Sequence, residues 1–262
     1  MKFKGKRTSL AGLFITSISS IYANAADNTQ WDGLYGGFGI GGLYSITTPK
    51  SGLVMTESNS YFTDGDPQQV NPGLQKKLND FDLSGSLILG YNLRNDKWLY
   101  GIETDLTMFD YQKSNTLGPT GYNSFPSIEY NIETTVKTKY SFSLRLQAGY
   151  IFDDLMVHMG IGPSISTFKY TMQYSETGPS RNITSPETYM VNSTKLGTSS
   201  NIGVSYKLDD NWSLRGDYVF NYYANVVDGT QKFKGTDTTS ATINHKTDFL
   251  SHNVRFVLIR KF

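Results

Sequence analysis

From Trp31 to Phe262 the apolar residues of this chain recur at every second position, and that period constrains the fold more than any other feature. Phe81, Leu83, Leu87, Leu89, Tyr91 and Leu93 alternate with Asp82, Ser84, Ser86 and Asn92. Tyr140, Phe142, Leu144, Leu146, Ala148 and Tyr150 alternate with Ser141, Ser143, Arg145, Gln147 and Gly149. A period of two belongs to a strand with one apolar and one mostly polar face. The same arithmetic marks eight segments, at 31–46, 81–93, 97–111, 140–150, 155–170, 196–208, 212–223 and 247–262. No stretch forms the run of about 20 apolar residues that a membrane helix needs, in keeping with a mean hydropathy of −0.38. With 18 Tyr, 15 Phe, 25 Gly and 18% charged residues, the composition leans further toward strands, since ordinary domains carry about 25% charge.

The connectors choose between a soluble sandwich and a membrane barrel. Short turns at 94–97, 153–154 and 209–211 alternate with long connections at 47–79, 112–134, 171–195 and 224–246. Long irregular loops are uncommon in a compact soluble domain, whereas an outer-membrane barrel has tight periplasmic turns and long external loops. The expected fold is therefore all-β: an eight-stranded antiparallel transmembrane barrel with up-and-down meander order. Both termini are expected in the periplasm and the four long loops outside. Trp31, Tyr91, Trp98, Phe152, Tyr206, Trp212 and Phe262 fall at the short-turn ends. Tyr44, Phe109, Tyr111, Tyr140, Phe168, Tyr170, Tyr222 and Tyr223 fall near the long-loop ends, as two interfacial girdles require.

The first residues supply a destination. A basic cluster (Lys2, Lys4, Lys6, Arg7), an apolar segment from Leu10 to Ile21 and the small residues Ala23 and Ala25 read as a secretory signal over 1–25. The barrel domain is then 26–262. Loss of those four cations leaves 20 basic against 23 acidic side chains, a formal charge of −3. Nucleic acid is not an expected partner, and the absence of cysteine excludes disulfides and thiolate metal sites. The last strand alternates back from a terminal aromatic, Phe262, which resembles the signal by which outer-membrane barrels are recognised for insertion; Arg260 departs from it.

Four stretches resemble a known family: Trp31-Asp32-Gly33-Leu34-Tyr35-Gly36-Gly37, Gly101-Ile102-Glu103-Thr104-Asp105-Leu106, Asp210-Asn211-Trp212-Ser213-Leu214-Arg215 with Asp217-Tyr218, and His252 through Phe262. They are similar to the small eight-stranded surface barrels of alphaproteobacteria, which include major outer-membrane antigens and haemin-binding proteins. Val257 stands where that family tends to have Gly. The resemblance implies a structural, surface-exposed protein in contact with outer-membrane lipid and the barrel-assembly machinery, contributing to envelope integrity and to contact with a host or the environment. Haemin capture by the loops is the alternative, and a narrow porin the third reading.

Candidate chemistry is sparse. Gly37-x-Gly39-x-x-Gly42 matches a dinucleotide fingerprint formally, yet the period of two runs straight through it and no helix follows. The polar strand faces place Asp82, Glu103, Asp105, Lys137, Lys139, Arg145, Arg215, Asp217 and Arg255 inward. Glu103 and Asp105 are expected to pair with arginines in a structural network that fills a narrow barrel, because unpaired charge there is costly. His158, His245 and His252 are too scattered for a metal site. His245, near the end of the fourth long loop, with Tyr61, Tyr122 or Tyr189, is the one candidate for haem iron, which imidazole and phenolate both ligate. No enzymatic activity and no required cofactor are expected.

Overall fold

The computed structural model describes residues 31–55, 61–179, 183–234 and 240–262; the signal segment 1–25 lies outside them. The strands are β1 (Gly33–Pro49), β2 (Gly52–Val54), β3 (Leu78–Asn95), β4 (Trp98–Gly121), β5 (Glu129–Phe152), β6 (Leu155–Thr177), β7 (Ile183–Lys207), β8 (Trp212–Lys234) and β9 (Ser240–Lys261), with one helix, α1 (Asp66–Leu74), between β2 and β3. All pairings are antiparallel, and β1–β9 contact closes β1 and β3 through β9 into an eight-stranded ring, with β2 added beside upper β9.

The short turns follow from their residues. Asp96 and Asp153 take positive φ, 55° and 51°, which a short polar side chain tolerates in a two-residue hairpin. Between β7 and β8 the Asp209 carboxylate accepts from the amides of Asn211 (2.8 Å) and Trp212 (2.9 Å). On β1, Gly37, Gly39 and Gly41 face the lumen beside β9, where a methyl on Gly39 would meet the Phe256 carbonyl oxygen at 2.7 Å. The fully buried Val257, opposite Gly39, uses the space so released.

Strands of 22 to 25 residues such as β4, β5, β7 and β9 are too long to be used up by one bilayer crossing, which takes about 9–11 residues. They divide into two zones. In the lower zone the outer face is apolar and exposed: on β6 it carries Val157, Met159, Ile161 and Ile165, while His158, Ser164 and Ser166 point inward and are buried. Higher on the same strand the order inverts. Lys169 and Gln173 face out, and Phe168, Tyr170, Met172 and Tyr174 are buried inside. Lipid contact requires the first arrangement and water contact the second.

The inversion coincides with a change of architecture. Pairing of β3 with β4 ends at Gly85–Met108, and that of β7 with β8 at Thr198–Tyr222. Above these points β4–β5–β6–β7 form one sheet and β8–β9–β1–β3 another. Their inner faces share a core including Ile132, Val136, Met172, Val227, Ile243 and Phe249. The barrel thus opens into a sandwich whose sheets cover each other's apolar face.

α1 closes one side of this sandwich. Pro67 sits at its start, where a proline costs no hydrogen bond, and Val70 and Leu74 bury against the core. The Asn71 side chain accepts from the Leu53 amide (2.8 Å), and Asn115 donates to the Gly73 carbonyl (3.0 Å). On the other side Ser193 donates to the Val226 carbonyl across the gap between β7 and β8.

Three sequence expectations are corrected. The long connections 112–134, 171–195 and 224–246 are largely strand, not loop. Phe109, Tyr111, Phe168, Tyr170 and Tyr223 point inward into the core instead of outward as a girdle, because they share the parity of lumen residues; Tyr44, Tyr140 and Tyr222 do face out. Trp31 is also buried, packed with Leu99, Ile151 and Met156 at the short-turn mouth.

Candidate functional site: the barrel lumen

Eight strands enclose a space that side chains can fill, and here β4, β5, β6, β8 and β9 send charged or ionisable groups into it. Glu103 on β4 is the hub. Its Oε1 accepts from Arg145 Nη2 (2.9 Å) and Gln147 Nε2 (3.3 Å), and its Oε2 from Arg215 Nη1 (2.5 Å) and the Tyr35 hydroxyl (2.9 Å). Asp105 Oδ2 lies 2.6 Å from both Arg145 and Arg255. Asp217 joins Arg255 (3.2 Å) through Oδ2 and His158 Nε2 (3.0 Å) through Oδ1. The result is an unbroken sequence of ion pairs, Arg215–Glu103–Arg145–Asp105–Arg255–Asp217. Three carboxylates balance three guanidiniums, and every one of these side chains is buried.

The network is also a brace. β4 and β8 stand on opposite sides of the eight-stranded ring, so Glu103–Arg215 spans the lumen. A closed set of mutually bonded charges leaves no carboxylate oxygen of Glu103 free for proton transfer, whereas acid/base work needs a group that reaches a substrate.

The structure brings together six of the nine interior charges read from the sequence. Asp82 stands apart: it points inward on β3 near the top of the lower zone, half-buried and outside the network. Lys137 and Lys139 point outward. A register irregularity between Thr138 and Phe142 on β5 shifts the parity, so that Val136 and Thr138 face in above it and Ser141 and Ser143 below it. Lys139 instead approaches Asp110 on the outside at 3.5 Å. His158, Tyr35 and Gln147 belong to the lumen and were not singled out, although each stands on the polar face of its strand and parity alone would have found them.

His245 is not a loop residue. It lies on upper β9, buried in the sandwich, with its ring stacked on Tyr189 at 4.2 Å and Nδ1 hydrogen-bonded to the Tyr170 hydroxyl at 3.1 Å. Burial pushes its pKa down to about 4. Tyr61 and Tyr122 are engaged too: with Tyr174 they donate to the buried carboxylate of Glu176, Tyr122 at 2.8 Å. Burial, together with that carboxylate, holds the Tyr122 hydroxyl well above the usual phenol range. Of the residues expected to reach haem iron, His245 is thus hydrogen-bonded to Tyr170 and stacked on Tyr189, and Tyr61 and Tyr122 are hydrogen-bonded to Glu176, with Tyr61 and Tyr189 packed against the core. His252 is on the outer wall, against Tyr218 (2.6 Å).

A sequence model of the outer membrane protein beta-barrel domain matches residues 13–249. The chain belongs to this family. It is therefore an outer-membrane β-barrel protein, and the apolar outer wall of the lower zone is its lipid-facing surface. Among solved structures, the attachment invasion locus protein Ail of Yersinia pestis is 11% identical, over 86% of this chain and 99% of that one, with a TM-score of 0.31. Neisserial surface protein A is 14% identical over 86% and 97%, with a TM-score of 0.33. The outer membrane protease OmpT of Escherichia coli is 11% identical over 87% and 97%, with a TM-score of 0.42. No curated protein matches the sequence.

Proposed function

We propose that this outer-membrane barrel is a structural and surface-exposed protein, contributing to envelope integrity and to contact with a host or the environment, without catalysis and without a resident cofactor. The observation that carries this reading is the lumen, whose three carboxylates and three guanidiniums are all committed to one another. The packed sandwich core above favours a wall and a display surface over a conduit. In this reading 1–25 is a cleaved export signal, Phe262 addresses the chain to the assembly machinery, both termini are periplasmic and the sandwich with α1 projects outward. The sequence resemblance to alphaproteobacterial surface antigens supports the same role.

Orientation is the part most cheaply tested, because the chain has no cysteine. Ser127, exposed between β4 and β5, and Lys97, in the β3–β4 turn, are each replaced by cysteine in otherwise wild-type protein. On intact cells a membrane-impermeant maleimide should label Ser127→Cys and leave Lys97→Cys unlabelled until the cells are broken. The reverse pattern would reject the proposed display surface.

A further inference from the structure

The outer wall of β4 to β7 is layered where the lipid-facing zone ends. An apolar row runs Leu106–Phe142–Ile165–Leu196, each residue the cross-strand neighbour of the next. One step up is a hydroxyl row, in which Tyr140 bonds Thr167 (2.9 Å) and Thr167 bonds Thr194 (3.0 Å). The next regular row is Gln112–Lys137–Lys169–Asn192, again directly paired across four strands. Lys137 and Lys169 thus stand opposite each other on the outer face. Like charges in that position are destabilising.

Three other lysines of the upper zone have carboxylate partners. Lys50 pairs with Asp248 at 2.6 Å, Lys113 with Asp80 at 2.9 Å and Lys139 with Asp110 at 3.5 Å. Among the described residues no carboxylate pairs with Lys137 or Lys169. Two ammonium groups flanked by two side-chain amides make a row of donors, with strands about 4.8 Å apart. It lies one tyrosine-marked step above an apolar wall, the depth at which lipid headgroups begin.

We infer that Lys137 and Lys169, with Gln112 and Asn192 beside them, hold the phosphate of a phosphorylated glycolipid of the outer leaflet, whose acyl chains lie on the Phe142–Ile165–Leu196 wall. A phosphate offsets the repulsion that no side chain relieves, and the hydroxyl row beneath suits the sugar to which it is attached. This rests on the orientation proposed above, since only an outward-projecting sandwich puts the row in the outer leaflet.

The test uses refolded full-length protein in a neutral detergent, with native mass spectrometry as the readout. Wild type, K137Q/K169Q and the control K76Q/K77Q, which removes two exposed cations beside α1, are each titrated with diphosphorylated lipid A, its dephosphorylated form, or inorganic phosphate. Wild type and the control should retain the diphosphorylated lipid, and K137Q/K169Q should bind it about thirtyfold more weakly, from the usual contribution of two cations at an anionic surface. Dephosphorylated lipid and inorganic phosphate should bind wild type no better than the diphosphorylated lipid binds the double variant. Equal retention by wild type and K137Q/K169Q, or equal loss in K76Q/K77Q, overturns the site. Binding of inorganic phosphate as strong as that of the lipid overturns the lipid as its occupant. Solubilised protein has no inside or outside, so failure here leaves the orientation standing, and the cysteine labelling tests that separately.

Discussion

Arg215 shows how little freedom a single residue has in this lumen. Its guanidinium crosses from β8 to Glu103 on β4 and lies over the Tyr35 ring, 5.4 Å from its centroid. Replacing it by alanine leaves Glu103 with Arg145, Gln147 and Tyr35 but removes the contact that spans the ring. Loss of one partner from a buried ion pair costs about 3–5 kcal/mol, and Arg215→Ala is expected in that range by urea unfolding in lipid vesicles. Removing Glu103 as well should cost less than the two single changes together, because neither charge is then stranded. A loss below about 1 kcal/mol would mean that the brace does not hold the barrel together. The inward direction of Glu103, Asp105, Arg145, Arg215, Asp217 and Arg255 was legible from parity alone. Which of them meet was not, because partners across a lumen depend on the stagger between strands, which alternation within a strand does not encode. His158 followed the same parity rule and was missed because histidine on a strand wall carries no charge pattern of its own.

At the scale of the strand, the upper halves were misread as loops for a definite reason. On β5 the sequence 130–138 still alternates, with Tyr130, Ile132, Val136 and Thr138 buried against exposed Glu129 and Glu133. The irregularity between Thr138 and Phe142 breaks the phase, so the alternation appears to stop where only its register changes. Seen as loops, these segments also made His245 look accessible. In its actual place, His245 ties pH to the sandwich. Its folded pKa of about 4 lies below the unfolded value of 6.5, so between those values the unfolded state binds the extra proton. The contribution of neutral His245 is intact above pH 6.5 and is lost progressively as pH falls toward 4, by up to about 3 kcal/mol. Protection factors of upper β6 and β9 amides, taken relative to the intrinsic exchange rate at each pH, should therefore fall between pH 7 and pH 4.5 in wild type, and much less in His245→Phe. An equal fall in both proteins would show that another group drives the opening.

The whole molecule solves two solvation problems with one set of strands. In lipid its outside is apolar and its inside polar and charge-balanced; in water its outside is polar and its inside aromatic and aliphatic. Each solution closes the axis independently, the lower by the ion-pair network and the upper by the sandwich core with Val70 and Leu74 of α1 driven into it. If both barriers are real, removing either alone leaves the other in place. Replacing 61–77 by a short Gly/Ser linker strips α1 from the upper barrier and exposes part of its core, yet touches no member of the lumen network. That variant should be less stable in its upper zone, with faster proteolysis there, and should still show no steady single-channel current in planar bilayers, like wild type. The ring would still be closed by β1–β9 pairing, so heat-resistant compactness on gels should persist. Stable conductance steps in the linker variant alone would make α1 the only gate and the ionic layer permeable. Steps in wild type would mean that the paired charges line a path instead of filling it.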